Sequence, residues 1–114
     1  MGVSAEVLQE ILDGLAEVER SAGRDYTAYG VRGVRFGYHW PRTETVGLKQ
    51  TLSEQAALVA ERPEVFEVQF TAGGFGWVVV HLPRIDLDEL EELVYEAWRL
   101  SAPVELTARH PFAR

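Results

Sequence analysis

The spacing of apolar residues changes several times along the chain, and each spacing predicts a different kind of element. From Ala5 to about Arg20, apolar residues recur every three or four positions opposite acidic ones, which predicts an amphipathic helix. Ser4 suits the start of this helix and Gly23 its end. The same spacing predicts a short helix from Thr51 to Glu61, opened by a Thr-x-x-Glu capping box, and a long helix from Asp86 to about Leu100.

Five stretches with alternating or continuous apolar residues predict β-strands. They cover residues 26–31, 34–40, 45–49, 65–71 and 75–82. In the second stretch, the alternation predicts that Phe36, Tyr38 and Trp40 share a core face while Arg35 and His39 face water. In the fourth, Phe66, Val68 and Phe70 are likewise expected on one face, with the other face in water.

The order helix, three strands, helix, two strands, helix predicts an α+β fold. We expect a two-layer sandwich in which an antiparallel sheet of about five strands is backed by helices on one face. No internal repeat or linker interrupts the pattern, so residues 1–114 are predicted to form one domain.

Composition narrows the class of protein further. With 114 residues, of which 46% are hydrophobic, the chain can bury one core. The absence of cysteine excludes disulfides, thiolate metal ligands and a cysteine nucleophile. The N-terminus lacks a basic start followed by an apolar run, and no apolar stretch approaches the roughly 20 residues that span a bilayer. We therefore expect a soluble, cytoplasmic monomer without a membrane partner.

The charges are distributed unevenly. Six of the eleven Lys and Arg residues fall between Arg20 and Lys49, where only Asp25 and Glu44 oppose them. An acidic protein of formal charge −7 therefore holds one basic, aromatic-rich segment. Its overall charge repels a polyanion, but salt screens that repulsion beyond about 8–10 Å, so the segment favours a local and weak contact.

Alternate residues of a strand share a face, so this segment predicts one positive surface for nucleic acid. The predicted nucleic-acid-binding residues are Arg32, Arg35, His39, Trp40, Arg42 and Lys49. The guanidinium group of arginine forms two hydrogen bonds with a phosphate. Trp40 and Tyr29 offer rings on which unpaired bases stack, with a gain of about 1–3 kcal/mol per base. The alternative is that these are solvated charges of edge strands, which discourage aggregation and pair partly with the acidic helices.

No sequence pattern predicts catalysis, a cofactor or a metal site. His39, His81 and His110 lack a second histidine at metal spacing, and the serines lie at helix ends. The glycines of residues 73–76 are not followed by Lys and Ser or Thr, which indicates a hairpin turn rather than a phosphate loop. The acidic residues of the last helix suit a hard cation, but we favour their role in complementing the helix dipole. We therefore predict that the protein is not an enzyme.

The segment from Gly30 to Leu100 resembles the MmcQ/YjbR family of small bacterial proteins. The resemblance is carried by VRGVRF at 31–36, GLK at 47–49 running into a helix, Arg62-Pro63, GWVVV at 76–80, and the closing helix to Leu100. It implies a two-layer α/β sandwich, also called a double-wing fold and close to the frataxin-like architecture, and a DNA-binding function. Lys49 matches a lysine common in the family, whereas residues 71–76 lack the Asn and Lys that many members carry before the matching Trp.

We therefore interpret the chain as an MmcQ/YjbR-like protein that binds DNA or RNA weakly and without sequence preference. Its Arg and Lys residues would neutralise phosphates, with His39 and Trp40 as auxiliary contacts. The alternative is a protein-interaction or regulatory module whose Arg-rich hairpin meets an acidic protein surface, because arginine and aromatic residues suit either partner. Both interpretations depend on the cations converging on one surface.

Overall fold

The computed structural model describes residues 2–113. Within them, the helices are α1 (Ala5–Asp13), α2 (Leu52–Glu61), α3 (Leu87–Arg99) and α4 (Val104–Arg109). The strands are β1 (Val18–Ala22), β2 (Thr27–Val31), β3 (Val34–Trp40), β4 (Thr45–Thr51), β5 (Phe66–Ala72) and β6 (Phe75–His81). Short 3₁₀ turns, Pro41–Thr43 and Leu82–Arg84, follow β3 and β6.

These strands form one antiparallel sheet in the order β1-β2-β3-β4-β6-β5. Helix α2 packs on β4, β5 and β6, α3 packs on β3 and β4, and α1 contacts α3. The helices thus make one layer and the sheet the other, which confirms the predicted α+β sandwich. The sheet has six strands where about five were expected.

The core lies between the two layers. In the central strands, Val46 pairs with Val80 and Leu48 with Val78, so these four side chains line the same face of the sheet. The helix layer contributes Leu8, Leu12, Leu90, Val94 and Trp98. All of these side chains are buried, and each large aliphatic one contributes about 1.5–3 kcal/mol.

The predicted helix starts are confirmed, two of them by side-chain caps. Ser4 Oγ accepts a hydrogen bond from the Val7 N–H (3.2 Å), and Thr51 Oγ1 accepts one from the Glu54 N–H (3.1 Å). Each cap satisfies a backbone donor that the first helical turn leaves free. Helix α3 begins after Asp86 as expected, although the Asp86 side chain makes no capping hydrogen bond.

The first helix is shorter than predicted. It ends at Asp13, and the chain then turns through Glu17, whose φ of 57° is left-handed. Val18 to Arg20, predicted as the end of the helix, instead belong to Val18–Ala22, which pairs along β2 as an edge strand. Gly23 lies in the turn between these strands and ends no helix. The apolar pattern continues past the helix because Leu15 still packs against the core.

A β-bulge in β3 reverses the sides on which its residues lie. The register between β2 and β3 shifts so that Phe36 is an extra residue on β3. Phe36 is in the core, but beyond it His39 faces the helices while Tyr38 and Trp40 face away. The prediction that Phe36, Tyr38 and Trp40 share one face is therefore wrong, because one inserted residue inverts the alternation.

A second register shift has the same effect in β5. It makes Gln69 the extra residue between Val68 and Phe70. Phe66 is buried in the core, whereas Phe70 contacts Trp77 on the far side of the sheet. The shared face expected for Phe66 and Phe70 is therefore also wrong, and for the same physical reason.

Candidate nucleic-acid interface

Aromatic side chains form a row across the outer face of the sheet, the face that points away from the helices. We call this set, Trp40, Tyr26, Tyr38, Trp77 and Phe70 in order of contact, the aromatic row. Successive ring centroids lie 4.9, 5.7, 5.5 and 5.1 Å apart, which is typical of interacting aromatic pairs. The rings come from the residue before β2 and from β3, β6 and β5, so the row crosses most of the sheet.

A glycine in β4 allows the row to be continuous. Tyr38 belongs to β3 and Trp77 to β6, and β4 runs between these strands. Gly47 of β4 pairs with Tyr38 and places no side chain beside that ring, and the rings of Tyr38 and Trp77 meet at 5.5 Å across β4. The Gln69 side chain occupies the space above Gly47, where an added Cβ would lie 2.6 Å from Gln69 Cδ.

Four of the five rings of the row are at least partly accessible, and Trp77 is buried. Trp77 is 6% exposed, whereas Phe70 is 38% exposed. Trp40, Tyr26 and Tyr38 are half-buried. A half-buried ring is held in place by its neighbours and still offers surface to a planar group. The outer face therefore provides a stacking surface.

Two arginines lie beside Tyr26, near the Trp40 end of the row. Arg24 and Arg42 are exposed, and together with Tyr26 and Pro41 they line a shallow groove of about 310 Å³. Neither arginine forms an ion pair within residues 2–113. Asp25 also lines the groove, so the two guanidinium groups outnumber a single carboxylate. At such a place, a guanidinium group without an ion-pair partner can bind a phosphate while the neighbouring ring stacks on a base.

The other predicted arginines lie at the opposite end of β3. Arg35 pairs with Gly30, is exposed on the outer face and forms no ion pair in the described part of the chain. Arg32 is engaged, because its Nη2 donates to Glu17 Oε2 at 3.0 Å. That contact raises the pKa of Arg32 and lowers the pKa of Glu17. Along an extended strand, roughly 16 Å separates Arg35 from Trp40.

Three further residues that were expected at this surface are buried. His39 is 1% exposed on the core side, its Nε2 has no hydrogen-bond partner among the described residues, and burial lowers its pKa, so it is neutral near pH 7. Lys49 is 8% exposed, its ammonium donates to Ser101 Oγ (3.0 Å) and lies 4.2 Å from the Phe75 ring centroid. Burial lowers the pKa of Lys49 as well. Tyr29, considered as a stacking residue, belongs to the core.

The predicted cations therefore do not converge on one continuous surface. Trp40 and Arg42 lie at one end of the aromatic row, and Arg35 lies apart from them. Arg32 is paired with a carboxylate, and the buried side chains of β3 and β4 cannot meet a partner. The structure brings together a stacking surface with cations at its margins instead of a cationic surface with auxiliary rings.

The structure gives less support to the other kinds of site considered from the sequence. Within residues 2–113, no group of three or more His, Asp or Glu is arranged to hold a metal ion. The same part of the chain contains no helix with the length and apolar character needed to cross a membrane. The acidic residues at the start of α3 line an open hollow, where their charges complement the positive end of the helix dipole.

Fold and site together define a small α+β protein whose sheet is covered by helices on one face and carries aromatic rings on the other. The sequence model of the YjbR family matches residues 12–100, which include all six strands, α2 and α3. The chain therefore belongs to the YjbR family, which confirms the resemblance inferred from its sequence.

The chain is also similar to curated mycobacterial proteins. The uncharacterized proteins Mb2600 of Mycobacterium bovis and Rv2570 of Mycobacterium tuberculosis are each 35% identical to it over 75 residues. That match covers 63% of this chain and 57% of each relative, so the chain spans little more than half of their length. Both relatives are uncharacterized, so the similarity assigns no activity to this chain.

A solved structure shares the fold. The crystal structure of Deinococcus radiodurans protein DR2400, a DUF419 domain, matches with a TM-score of 0.75. The match covers 97% of this chain and 83% of that chain at 14% sequence identity. Since so low an identity carries no information about side-chain roles, the comparison shows the shared fold alone.

Proposed function

We propose that this YjbR-family protein is a cytoplasmic nucleic-acid-binding protein that holds single strands of DNA or RNA weakly and without sequence preference. The observation that carries the proposal is the aromatic row on the outer face, with Arg24 and Arg42 at one end and Arg35 farther along β3. Unpaired bases stack on Trp40 and Tyr26 while the arginines neutralise phosphates. The protein acts by binding and not by catalysis.

The geometry favours single strands over duplexes. In a duplex the bases are stacked on one another, and a protein reads them by inserting a helix or β-ribbon into a groove. The long helix α3 carries five acidic residues and one arginine, so its net negative charge opposes such an approach to phosphate. An open sheet face with accessible rings instead suits bases that are already unstacked.

The same features limit the affinity. Stacking on an aromatic side chain contributes about 1–3 kcal/mol per base, and two accessible rings supply most of the attraction. The formal charge of −7 opposes a polyanion, and within residues 2–113 only Arg24 and Arg42 lie beside the row, with Arg35 farther along β3. We therefore expect dissociation constants of about 10–100 μM at low salt.

Fluorescence anisotropy with labelled oligothymidylate, oligouridylate and a matching duplex tests the proposal. Single strands should bind more tightly than the duplex, with a slope of log K against log salt of about −2 if three phosphates are neutralised. Charge reversal of the groove in the double variant Arg24→Glu/Arg42→Glu should abolish binding. The single variants Arg24→Glu and Arg42→Glu should each weaken binding, and Arg109→Glu, at an exposed arginine of α4 in the helix layer, is their charge-matched control.

Two results would overturn the proposal. One is the absence of binding to any of the oligonucleotides at low salt. The other is an affinity and salt slope that the double charge reversal changes no more than Arg109→Glu does, because the arginines of the groove would then contact no phosphate.

A second function, docking on an acidic protein surface, is favoured by one observation. The edge strand β5 exposes Val68 by 56% and Phe70 by 38%, so apolar side chains are accessible on both faces of the sheet at this edge. Capture from a cell lysate with nuclease present separates the two functions. A protein partner should be retained by the wild type and lost by the Arg24→Glu/Arg42→Glu variant, whereas retention that requires intact nucleic acid contradicts this alternative.

A further inference from the structure

A cavity of about 370 Å³ lies on the opposite layer of the molecule, between α1, α3 and the segment after α4. Its walls are apolar where they face one another, with Ile11 and Leu15 on one side and Tyr95 and Phe112 on the other. The volume is within the range of small-molecule sites, and the mixture of an apolar wall with a few polar groups is typical of them. The aromatic row lies on the other side of the sheet and contributes none of these residues.

The C-terminal wall is held by specific contacts with α3. The Tyr95 hydroxyl donates to the backbone carbonyl of His110 at 2.8 Å. The rings of Tyr95 and Phe112 lie 5.2 Å apart, and the ring of His110 lies edge-on to Trp98 at 6.5 Å. Trp98 in turn donates to the carbonyl of Ala16 at 3.0 Å, which joins the segment after α1 to the same structure. Specific hydrogen bonds and ring contacts therefore hold the walls of the cavity in place.

The electrostatics of the cavity select a cation. Two carboxylates, Glu10 and Glu91, line it together with His110, and no lysine or arginine of residues 2–113 does. Neither carboxylate forms an ion pair or hydrogen bond within residues 2–113. Helix α1 also ends here with no basic residue in its last turn, so the negative end of its dipole is not complemented. The aromatic faces of Tyr95 and Phe112 add attraction for a cation through their quadrupoles.

We infer that this cavity binds a small organic cation, in which an ammonium group is attached to an apolar body. The apolar body packs between Leu15 and the rings of Tyr95 and Phe112, while the ammonium lies near Glu10 and Glu91. A neutral molecule of the same shape gains only the apolar contact, and an anion meets two uncompensated carboxylates. The site is independent of the nucleic-acid interface, so either can fail without the other.

Titration of the ¹⁵N-labelled chain with benzyltrimethylammonium, followed by NMR, tests the inference. We expect saturable shifts with a dissociation constant in the low millimolar range, confined to residues 10–16, 91–98 and 110–113. Benzyl alcohol and phenylacetate are the neutral and anionic controls, and both should bind at least about five-fold more weakly. Glu10→Gln and Glu91→Gln should each weaken binding about two- to five-fold. Glu6→Gln, an exposed position on α1 outside the cavity, should leave it unchanged.

The inference is overturned by any of three results. These are the absence of saturable shifts in the cavity, equal affinity for benzyl alcohol, and unchanged affinity in a folded Glu10→Gln/Glu91→Gln variant. Because glutamine keeps the shape of glutamate, the spectrum of that variant also shows whether the fold is intact. Loss of binding in a correctly folded variant supports the inference.

Discussion

Replacing Gly47 with alanine tests the geometry on which the aromatic row depends. Gly47 is buried in the middle of β4, beneath the Gln69 side chain that reaches over from β5. An added Cβ would lie 2.6 Å from Gln69 Cδ and 2.8 Å from Gln69 Nε2. Both distances are far inside the roughly 3.5–4.0 Å optimum for non-bonded heavy atoms, so Gln69 must move.

The cost can be worked out from two contributions. Overpacking a filled site typically costs about 1–3 kcal/mol, and here the lower half applies because Gln69 Oε1 has no hydrogen-bond partner among the described residues and gains hydration when displaced. Loosening the contact between Tyr38 and Trp77 forfeits about 0.5–1.5 kcal/mol beyond buried area. We expect a loss of about 1.5–3.5 kcal/mol, which lowers Tm by about 6–15 °C in a domain of this size.

Urea denaturation followed by tryptophan emission measures this loss. Gly37→Ala is the matched control, because the nearest atom to its added Cβ, Leu48 Cδ2, is at 3.4 Å, so its cost should be smaller. In a Gln69→Ala background, Gly47→Ala should lose most of its effect. An equal loss in both backgrounds, or one no larger than that of Gly37→Ala, would refute the proposed packing over Gly47.

Three further predictions concern buried or capping groups. Burial lowers the pKa of His39 and keeps it neutral in the folded state. The free energy of unfolding should therefore be unaffected by His39 above its ordinary pKa of 6.5 and should fall below it, by at most about 1.4 kcal/mol per pH unit. In urea denaturation from pH 7.5 to 5.5, the free energy of unfolding should decline less steeply in His39→Leu than in the wild type. Lys49→Met should not lower the free energy of unfolding, because no carboxylate of the described chain pairs with the buried ammonium; a loss above about 1 kcal/mol contradicts this. Thr51→Ala should cost about 1 kcal/mol in the same assay, and an unchanged stability would show that the cap of α2 is dispensable.

The layer architecture could be predicted from the sequence because most elements have strong local signals. The capping box at Thr51 and the apolar spacing of α3 fix two helices, and the continuous apolar run of β6 marks a central strand. Strand β1 lacks such a signal. Its sequence, Val18–Ala22, continues the apolar spacing of α1, and only pairing with β2 makes it a strand. Tertiary contacts therefore decide between helix and strand where local propensity does not.

The candidate site could not be predicted to the same extent, because two β-bulges determine which side chains lie on the outer face of the sheet. One extra residue at Phe36 moves Tyr38 and Trp40 to the outer face and His39 to the core, and Gln69 does the same for Phe70. Nothing in the local spacing distinguishes a bulged strand from a regular one. The arginines were located in sequence, but their pairing with distant carboxylates, as for Arg32, depends on the fold.

The contribution of Arg24 and Tyr26 was missed for a related reason. Both lie in the turn between β1 and β2, which exists only because β1 is a strand. With β1 predicted as helix, this turn had no defined position beside Trp40. One signal was available, because Gly47 interrupts a strand of otherwise larger residues, and a glycine inside a strand often marks a place where neighbouring groups approach closely.

The most direct test of the central claim is an NMR titration of the full chain with oligothymidylate at low salt. If the outer face holds single strands, shifts should appear at the Trp40 indole N–H and at the backbone amides of Tyr26 and Arg42, and should saturate together. Shifts confined to the helix layer around α3 and α4, or no shifts at all, would contradict the claim.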